Sequence, residues 1–583
     1  MTKVEELYRS KSFVGPLYHR KRRSLSSLPS REERYYFGVI SVRYFLLAFF
    51  LLLNLVPPLL NLLLPGAVWA LFFTVPLGAL ALCDYLQPWH SIRRNFPVLG
   101  NLRYLAETIR PGVQQYFIEN DSQGRPFSKE ERSLVYQRAK GVLDTKPFGT
   151  HLDFYAIGYE WVSHSMVPTH VEHESLRTTI GGPDCLQPYS ASVLNISAMS
   201  YGSLSANAVR ALNGGAKDGN FAHNTGEGGV SPYHLENGGD LIWQIGTGYF
   251  GCRTADGAFD ADKFTLMAKT PQIKMIELKL SQGAKPGHGG ILPAKKVTKE
   301  ISEIRGVPMG FDVISPPAHT AFSTPIEMMQ FIKRLRSLSE GKPIGLKLCL
   351  GKRREFISLC KAMVATGVCP DYIAVDGAEG GTGAAPLEFT NYIGTPGVEG
   401  LIFVHNALIG YNLRDKVKVG ATGRISSAFG MAKMLSLGAD FCYSARAMML
   451  ALGCIQALVC NSNTCPTGIA TQTRSLTGGL VVEDKRERVA TFHRETVKSL
   501  AEMIGAMGLH STESLRPWQI MRRVSVNEIR HYGELYDFLD DGELLRENLP
   551  PDYERAVRAS RAEDFAYHGP RITRGGVTLP EPY

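Results

Sequence analysis

Cysteine is scarce in this chain: ten in 583 residues do not make a disulfide framework of the kind that staples small secreted domains. Basic charge is scarce where nucleic acid would need it. The formal charge is +9, but residues 1–34 hold nine Lys/Arg against four Glu, and residues 35–110 hold five Arg against two acids. Everything beyond residue 110 carries a net charge of about +1, so the main body has no basic face and no nucleic-acid partner is expected. Lys and Arg are missing altogether from 44–64 and 66–86, two apolar stretches whose only charge is Asp84. Each is near the roughly 20 residues that a bilayer needs, and Pro57-Pro58 with Pro65-Gly66 suit the turn between them. Arg20, Lys21, Arg22, Arg23, Arg31, Arg34 and Arg43 precede the pair, and Arg93, Arg94 and Arg103 follow it. Positive flanks on both sides put both on the cytoplasmic face. A signal peptide is a poor fit, because the apolar region is too long and starts too late; a buried core hairpin is the other reading. The expectation is a basic segment at 1–36, a transmembrane helical hairpin at 37–87 in contact with membrane lipid, and a catalytic body on the cytoplasmic side of the inner membrane.

Residues 88–185 mix Pro, Arg and aromatics and read as a connector packing on the main domain. From about residue 190, short apolar strands end in Gly/Ser/Asn loops and alternate with helical segments, the pattern of a parallel α/β fold. Candidate strands are 193–198, 221–223, 241–245, 274–279, 344–349, 372–375, 416–420 and 441–444. Eight strands over this length predict a (β/α)8 TIM barrel across 186–515, with an insertion after the fourth strand at about 284–340. Within it, 325–338 is a predicted helix whose Ile326, Met329, Ile332 and Leu335 form a stripe better suited to core packing than to a cofactor. The tail, 516–583, is charged and helical in pattern. In such a barrel, phosphate is gripped after strands seven and eight. Here those loops read Gly420-Ala421-Thr422-Gly423-Arg424 and Ser444-Ala445-Arg446, small residues beside a guanidinium.

Three of the ten cysteines, Cys454, Cys460 and Cys465, fall within twelve residues, and Pro466 follows the last. Three thiolates at this density suit one compact iron–sulfur cluster. Zinc also takes thiolates, but the paired C-x2-C spacing and fourth ligand it usually wants are missing. Three small unrelated hydrophobes are the remaining alternative.

Ser197-Ala198-Met199-Ser200-Tyr201-Gly202, Asn224-Thr225-Gly226-Glu227-Gly228-Gly229, Gln282-Gly283-Ala284-Lys285-Pro286-Gly287, Gly380-Gly381-Thr382-Gly383-Ala384-Ala385-Pro386 and the cysteine run resemble, in order, the synthase domain of glutamate synthase. The likeness covers roughly 190–510 and lies closest to the short related proteins. The resemblance implies FMN on the barrel and a 3Fe–4S cluster on Cys454, Cys460 and Cys465. It sets Met199, Ser200 and Gly202 against the flavin ring, Gln244 and Lys347 at its pyrimidine edge, and Gly381, Thr382, Gly423, Arg424, Ala445 and Arg446 around its phosphate end. It implies 2-oxoglutarate held by Lys279, Gln282 and Ser200, with Lys285 and Glu227 as the catalytic acid–base pair. Two departures matter. The family's Glu-Gly-Gly-Gln after Lys-Pro-Gly is here His288-Gly289-Gly290-Ile291, and the chain opens Met1-Thr2-Lys3 with no cysteine nucleophile or glutaminase domain ahead of the barrel. The expected activity is therefore reductive amination of an oxo-acid with free or partner-supplied ammonia. Electrons are expected from an external donor: a ferredoxin, a reductase subunit or a quinone-linked protein. Rival readings are an FMN dehydrogenase for another amino acid or imine, and a non-catalytic membrane electron carrier. A mere carrier needs no oxo-acid site.

Overall fold

The computed structural model describes residues 42–569, and the backbone alone of Ile572–Arg574 and Val577–Leu579. The basic segment read at 1–36 lies outside the described residues. The chain divides into two compact units, Met1–Ile118 and Glu119–Tyr583. The expected connector is thereby split: 88–118 belongs with the apolar hairpin and 119–185 with the barrel.

In the first unit, Val42–Asn61 and Ala67–Leu86 are helical runs of 20 residues each. They run antiparallel: the Arg43 guanidinium sits 4.3 Å from the Tyr85 ring centre, and a Cβ on Gly78 would lie 2.6 Å from Asn54 Nδ2. The turn is made by Pro65-Gly66, with Gly66 at φ 96°. Pro57 and Pro58 are not in the turn but inside the first run, at the start of Val56–Asn61. A first-turn proline costs a helix nothing, because its N–H would have no partner there. Two further helices follow, Ser91–Asn95 and Gly100–Val113.

The second unit is built on eight parallel strands: β1 Leu194–Ile196, β2 His223–Asn224, β3 Leu241–Ile245, β4 Ile273–Lys279, β5 Ile344–Leu348, β6 Tyr372–Asp376, β7 Lys418–Thr422 and β8 Phe441–Ser444. They close in chain order, β8 pairing with β1 at Cys442↔Leu194 and Ser444↔Ile196. All eight expected strands are present; β1 is shorter than expected, β7 starts two residues later and β2 is shifted forward. β3, β5 and β6 are buried throughout, which is why they read as continuous apolar runs without alternation.

Filling the interior sets several residues. A Cβ on Gly345 would meet the Tyr372 ring at 2.2 Å, and one on Gly420 would meet the Phe441 ring at 2.7 Å. Glycine on one strand makes room for an aromatic ring on the next. Tyr372 and Phe441 pack with Ile242, Met275 and Tyr443, and the hairpin Arg177–Ile180/Tyr189–Ser192 adds Ile180 and Ala191 to that layer.

Between β4 and its helix, the insertion carries a short antiparallel pair, Ile291–Leu292 with Val313–Ile314, and the helix Lys299–Arg305. The helix Pro325–Leu338 begins at a Thr324/Glu327 capping box. Its Met329, Ile332 and Leu335 are fully buried, so the stripe is core. The tail is not wholly helical. Ile520–Arg523 pairs with both Glu160–Val162 and Ile529–His531 in a three-stranded antiparallel sheet. Its charges hide the strand, since only Ile520 of the four residues is buried. Pro551–Arg558 is helical.

Gly345→Ala should lower stability by about 1–3 kcal/mol, the usual cost of forcing an extra methyl into a packed core. Thermal unfolding checks it. An unchanged Tm would mean that the Tyr372 ring has room to move.

Candidate active site

The loops at the carboxyl ends of the strands gather two groups of charge. The first centres on Glu227, carried by the loop after β2. Its Oε1 accepts a hydrogen bond from Lys279 Nζ, at the end of β4, at 2.8 Å. The carboxylate is clamped by glycines: a Cβ on Gly290 would lie 2.3 Å from Oε1, and one on Gly246 would lie 2.5 Å from Oε2. Burial pushes the Glu227 carboxyl up, but the charges of Lys279, Arg305 and Lys285 together hold it below the usual carboxylate range. Lys285 is almost fully buried and donates to the Ala384 carbonyl at 2.8 Å. Burial and repulsion from Lys279, only partly offset by Glu227, bring its pKa down to about 8.

Arg305 completes this group and was not expected from the sequence. It closes the insertion helix Lys299–Arg305, is buried, and its Nη2 donates to Ser200 Oγ at 3.2 Å and to the Tyr201 carbonyl at 3.1 Å. The available signal was a basic residue one turn after the buried Ile301, on the inward face, followed by Gly306 at φ 62°. His319 was also missed. Its Nε2–H donates to the Lys279 carbonyl at 2.9 Å and its Nδ1 accepts from Tyr249 Oη at 3.0 Å. Burial lowers its pKa to about 4, so it acts as a neutral brace at the end of β4. Lys285 and Glu227 do not bond to each other: Lys279 takes the carboxylate, and Lys285 reaches across to the loop after β6. Gln282 reaches the same loop, its Nε2 donating to Thr382 Oγ1 at 3.2 Å.

Gln244, on β3, points into the barrel, where its Nε2 donates to Glu277 Oε1 at 2.6 Å. Asn224 Nδ2 donates to the same oxygen at 2.8 Å. Lys347, at the end of β5, stands 3.4 Å from Asp376 Oδ2. Met199 is buried, and Gly202 takes φ 101°. Gly246-Thr247-Gly248-Tyr249-Phe250-Gly251, directly after β3, has the spacing of a dinucleotide loop. Here it packs against Glu227 and no helix begins until Ala261, so the fold does not use it that way.

The second charged group lies after β6, β7 and β8. Arg446 Nη2 donates to the Glu379 carbonyl at 2.5 Å, and a Cβ on Gly381 would lie 2.7 Å from Arg446 Cδ. Arg424 follows Gly423 (φ 119°) in a left-handed conformation, φ 54°, that is uncommon for an arginine. Its Nη2 donates to Glu131 Oε2 at 3.0 Å, and its Nε is buried with no partner. Both guanidiniums lie near the buried Phe127 ring, Arg446 at 5.0 Å and Arg424 at 5.8 Å from its centre. Residues 119–140 therefore form a wall of this corner. Ala445 links β8 to Arg446.

Cys454, Cys460 and Cys465 share one loop after β8, with Gln456, Leu458 and Asn463 all at positive φ. Burial pushes the Cys454 thiol up to about 11, with Cys460 and Cys465 adding to the rise. Cys465 differs. The Thr467 hydroxyl and the N–H groups of Ala470, Thr467 and Ile469 outweigh its burial and lower its pKa. Among the described residues, no three His, Cys, Asp or Glu side chains stand as a preformed metal site.

Residues 184–510 match the family model described as the conserved region in glutamate synthase. The chain belongs to the glutamate synthase family. A glutamate synthase large subunit-like protein of Bacillus subtilis, YerD, is 38% identical over 469 residues, covering 73% of this chain and 89% of that protein. The archaeal-type glutamate synthase (NADPH) of Thermotoga maritima is 34% identical over 487 residues, covering 78% and 93%. A solved flavocytochrome b2 aligns at 13% identity and a TM-score of 0.39, over 78% of this chain and 91% of that one, too distant to carry an argument. The charged groups above thus sit on the barrel of a glutamate synthase-like oxidoreductase.

The Lys285 shift has a sign that can be tested. Its folded pKa is depressed below the unfolded value, so the folded state bears the full cost of the charged form below about pH 8 and sheds it as pH rises toward 10.5. Lys285→Met should stabilise the protein at pH 7 by about 2 kcal/mol, a gain that shrinks between pH 8 and 10.5. Urea unfolding at several pH values checks it, and a pH-independent gain would refute the depressed pKa.

Proposed function

We propose that this protein is a membrane-anchored, FMN- and iron–sulfur-dependent member of the glutamate synthase family that reductively aminates 2-oxoglutarate, or a related oxo-acid, with ammonia. The observation that carries the reading is the convergence of Lys279, Lys285 and Arg305 on one clamped carboxylate, Glu227, at the barrel mouth. Three cations around one acid suit a dicarboxylic oxo-acid. Arg305, braced on Ser200, and Lys279 would hold carboxylates. Lys285, poised near pH 8, would donate a proton to the carbonyl oxygen as water leaves and the imine forms, and Glu227 would exchange protons with the attacking nitrogen.

The residues present fit FMN. Two guanidiniums with a buried, unpartnered Arg424 Nε, between Gly381 and Gly423, suit its phosphate, and Lys347 would supply a cation at the ring's pyrimidine edge. FMN, when bound there, supplies the two-electron reductant for the imine. Gln244, held by Glu277, and Met199 would line the ring. The three thiols of the loop after β8 would hold a 3Fe–4S cluster once drawn together around it, and Cys465 already has the N–H donors that stabilise a thiolate. Electrons would come from an external donor such as a ferredoxin, a reductase subunit or a quinone-linked protein. Two 20-residue apolar helices, about 30 Å long each, between Arg-rich flanks support an anchor in the cytoplasmic membrane with the barrel on the cytoplasmic side.

One observation favours a substrate other than 2-oxoglutarate. Ile291, where the family has glutamine, is half-buried one residue from Gly290, whose Cβ position abuts Glu227. An apolar side chain there offers no polar contact to a substrate and suits a less polar oxo-acid.

Photoreduced protein should be reoxidised by an oxo-acid only when ammonium is present, and glutamine should not replace ammonium. Lys285→Ala should slow this at least ~10²-fold, the usual size of acid–base effects, with the flavin absorbance retained. Turnover of partner-free protein with glutamine as sole nitrogen source would refute the reading. Failure of 2-oxoglutarate alone, within a panel of oxo-acids, would favour a changed specificity, and its recovery in Ile291→Gln would trace that change to the loop of His288 and Ile291.

Cys460→Ser should remove acid-labile sulfide and iron while leaving FMN bound. Stoichiometric zinc without labile sulfide in the unaltered protein would refute the cluster.

A further inference from the structure

Helix Gly100–Val113 presents its apolar side to the exterior. Leu102, Leu105, Ile109 and Val113, with Leu99 just before them, recur every three or four residues along one face. That face is exposed: Leu102 is 62%, Leu105 58% and Ile109 53% accessible. Tyr116 and Phe117, directly beyond the helix, are exposed as well.

The helix is packed only at its first turn, on the polar side, through Gly100, Asn101 and Tyr104. Asn101 Nδ2 donates to Asp84 Oδ2 at 2.5 Å, and the Val98 N–H donates to the same oxygen at 3.0 Å. The Arg93 guanidinium lies 4.3 Å from the Tyr104 ring centre, and the His90 ring lies 5.2 Å from it. A Cβ on Gly100 would come within 2.8 Å of Arg93 Cα. Asp84, the lone charge of the stretches 44–64 and 66–86, is buried. It ties the start of the amphipathic helix to the end of Ala67–Leu86.

We infer that Gly100–Val113 is an interfacial helix lying on the surface of a bilayer that contains anionic lipid, its apolar face dipping among the acyl chains. A soluble fold turns such a face inward, whereas this one turns outward next to a run long enough to span a membrane. Charge agrees: residues 88–118 hold Arg93, Arg94, Arg103 and Arg110 against Glu107 alone, a net +3. Arg103 and Arg110 border the apolar face, where they would meet lipid phosphates. The inference rests on the proposed membrane-spanning hairpin.

The test uses the full-length chain in phosphatidylcholine/phosphatidylglycerol vesicles, with a nitroxide attached through a genetically encoded keto amino acid. Probes at 105 and 109 should relax faster with oxygen than with a water-soluble nickel chelate, placing them about 5–10 Å below the phosphates. Probes at 107 and 108 should show the reverse, and one at 75, within the second apolar run, should lie deeper than all four. Aqueous probes at 105 and 109 with 75 deep would overturn the interfacial helix and leave the hairpin standing. An aqueous probe at 75 as well would overturn both. Shielding of 105 and 109 from both reagents would mean that protein covers this face, a second copy if light scattering gives a dimer, and would also overturn the inference. Arg103→Gln with Arg110→Gln should lower the oxygen-over-nickel contrast at 105, and an unchanged contrast would remove anionic lipid from the proposal.

Discussion

A closed eight-strand barrel has no free edge and no solvent inside, so its side chains must fill the interior or the strands cannot meet. That constraint runs through the second unit. It places glycine at 345 and 420, where the rings of Tyr372 and Phe441 need the volume. It also makes the buried Glu277 tolerable, because Asn224 and Gln244 both donate to it. The strand ends are thereby held in one frame, and the loops beyond them bring together residues more than a hundred positions apart.

The site depends on a balance of charge. Burial alone raises the pKa of Glu227; three neighbouring cations bring it below the usual carboxylate range. The same crowding holds Lys285 near the point where it gives up a proton. Neither group could be tuned this way on an exposed loop, where solvent would screen the interaction. The glycines at 246 and 290 belong to this balance, since a side chain at either would occupy the space of the carboxylate.

The first unit applies opposite rules. Apolar residues face outward on both long helices and on Gly100–Val113, while the buried Asp84 serves as the fastening. A bilayer reverses the usual placement of polar and apolar groups, and the proposed membrane setting would account for this arrangement.

The eight strands and the helix Pro325–Leu338 were legible in the sequence, because strands buried on both faces leave uninterrupted apolar runs and the helix leaves a three-residue period. Glu227, Lys279 and Lys285 were legible as residues of recurring glycine-rich loops. Their pairing was not: Lys279, and not Lys285, bonds to Glu227, because β4 sets the Lys279 side chain beside it. Arg305 was hidden in an insertion whose pattern names no function, and only folding delivers it to Ser200. The strand Ile520–Arg523 was masked by its own arginines, since pairing with Glu160–Val162 and Ile529–His531 takes backbone groups and little apolar surface. Local composition thus determined which segments are strands, helices and apolar runs. Tertiary structure decided which charges meet, because electrostatic coupling depends on distance through space and not on separation along the chain.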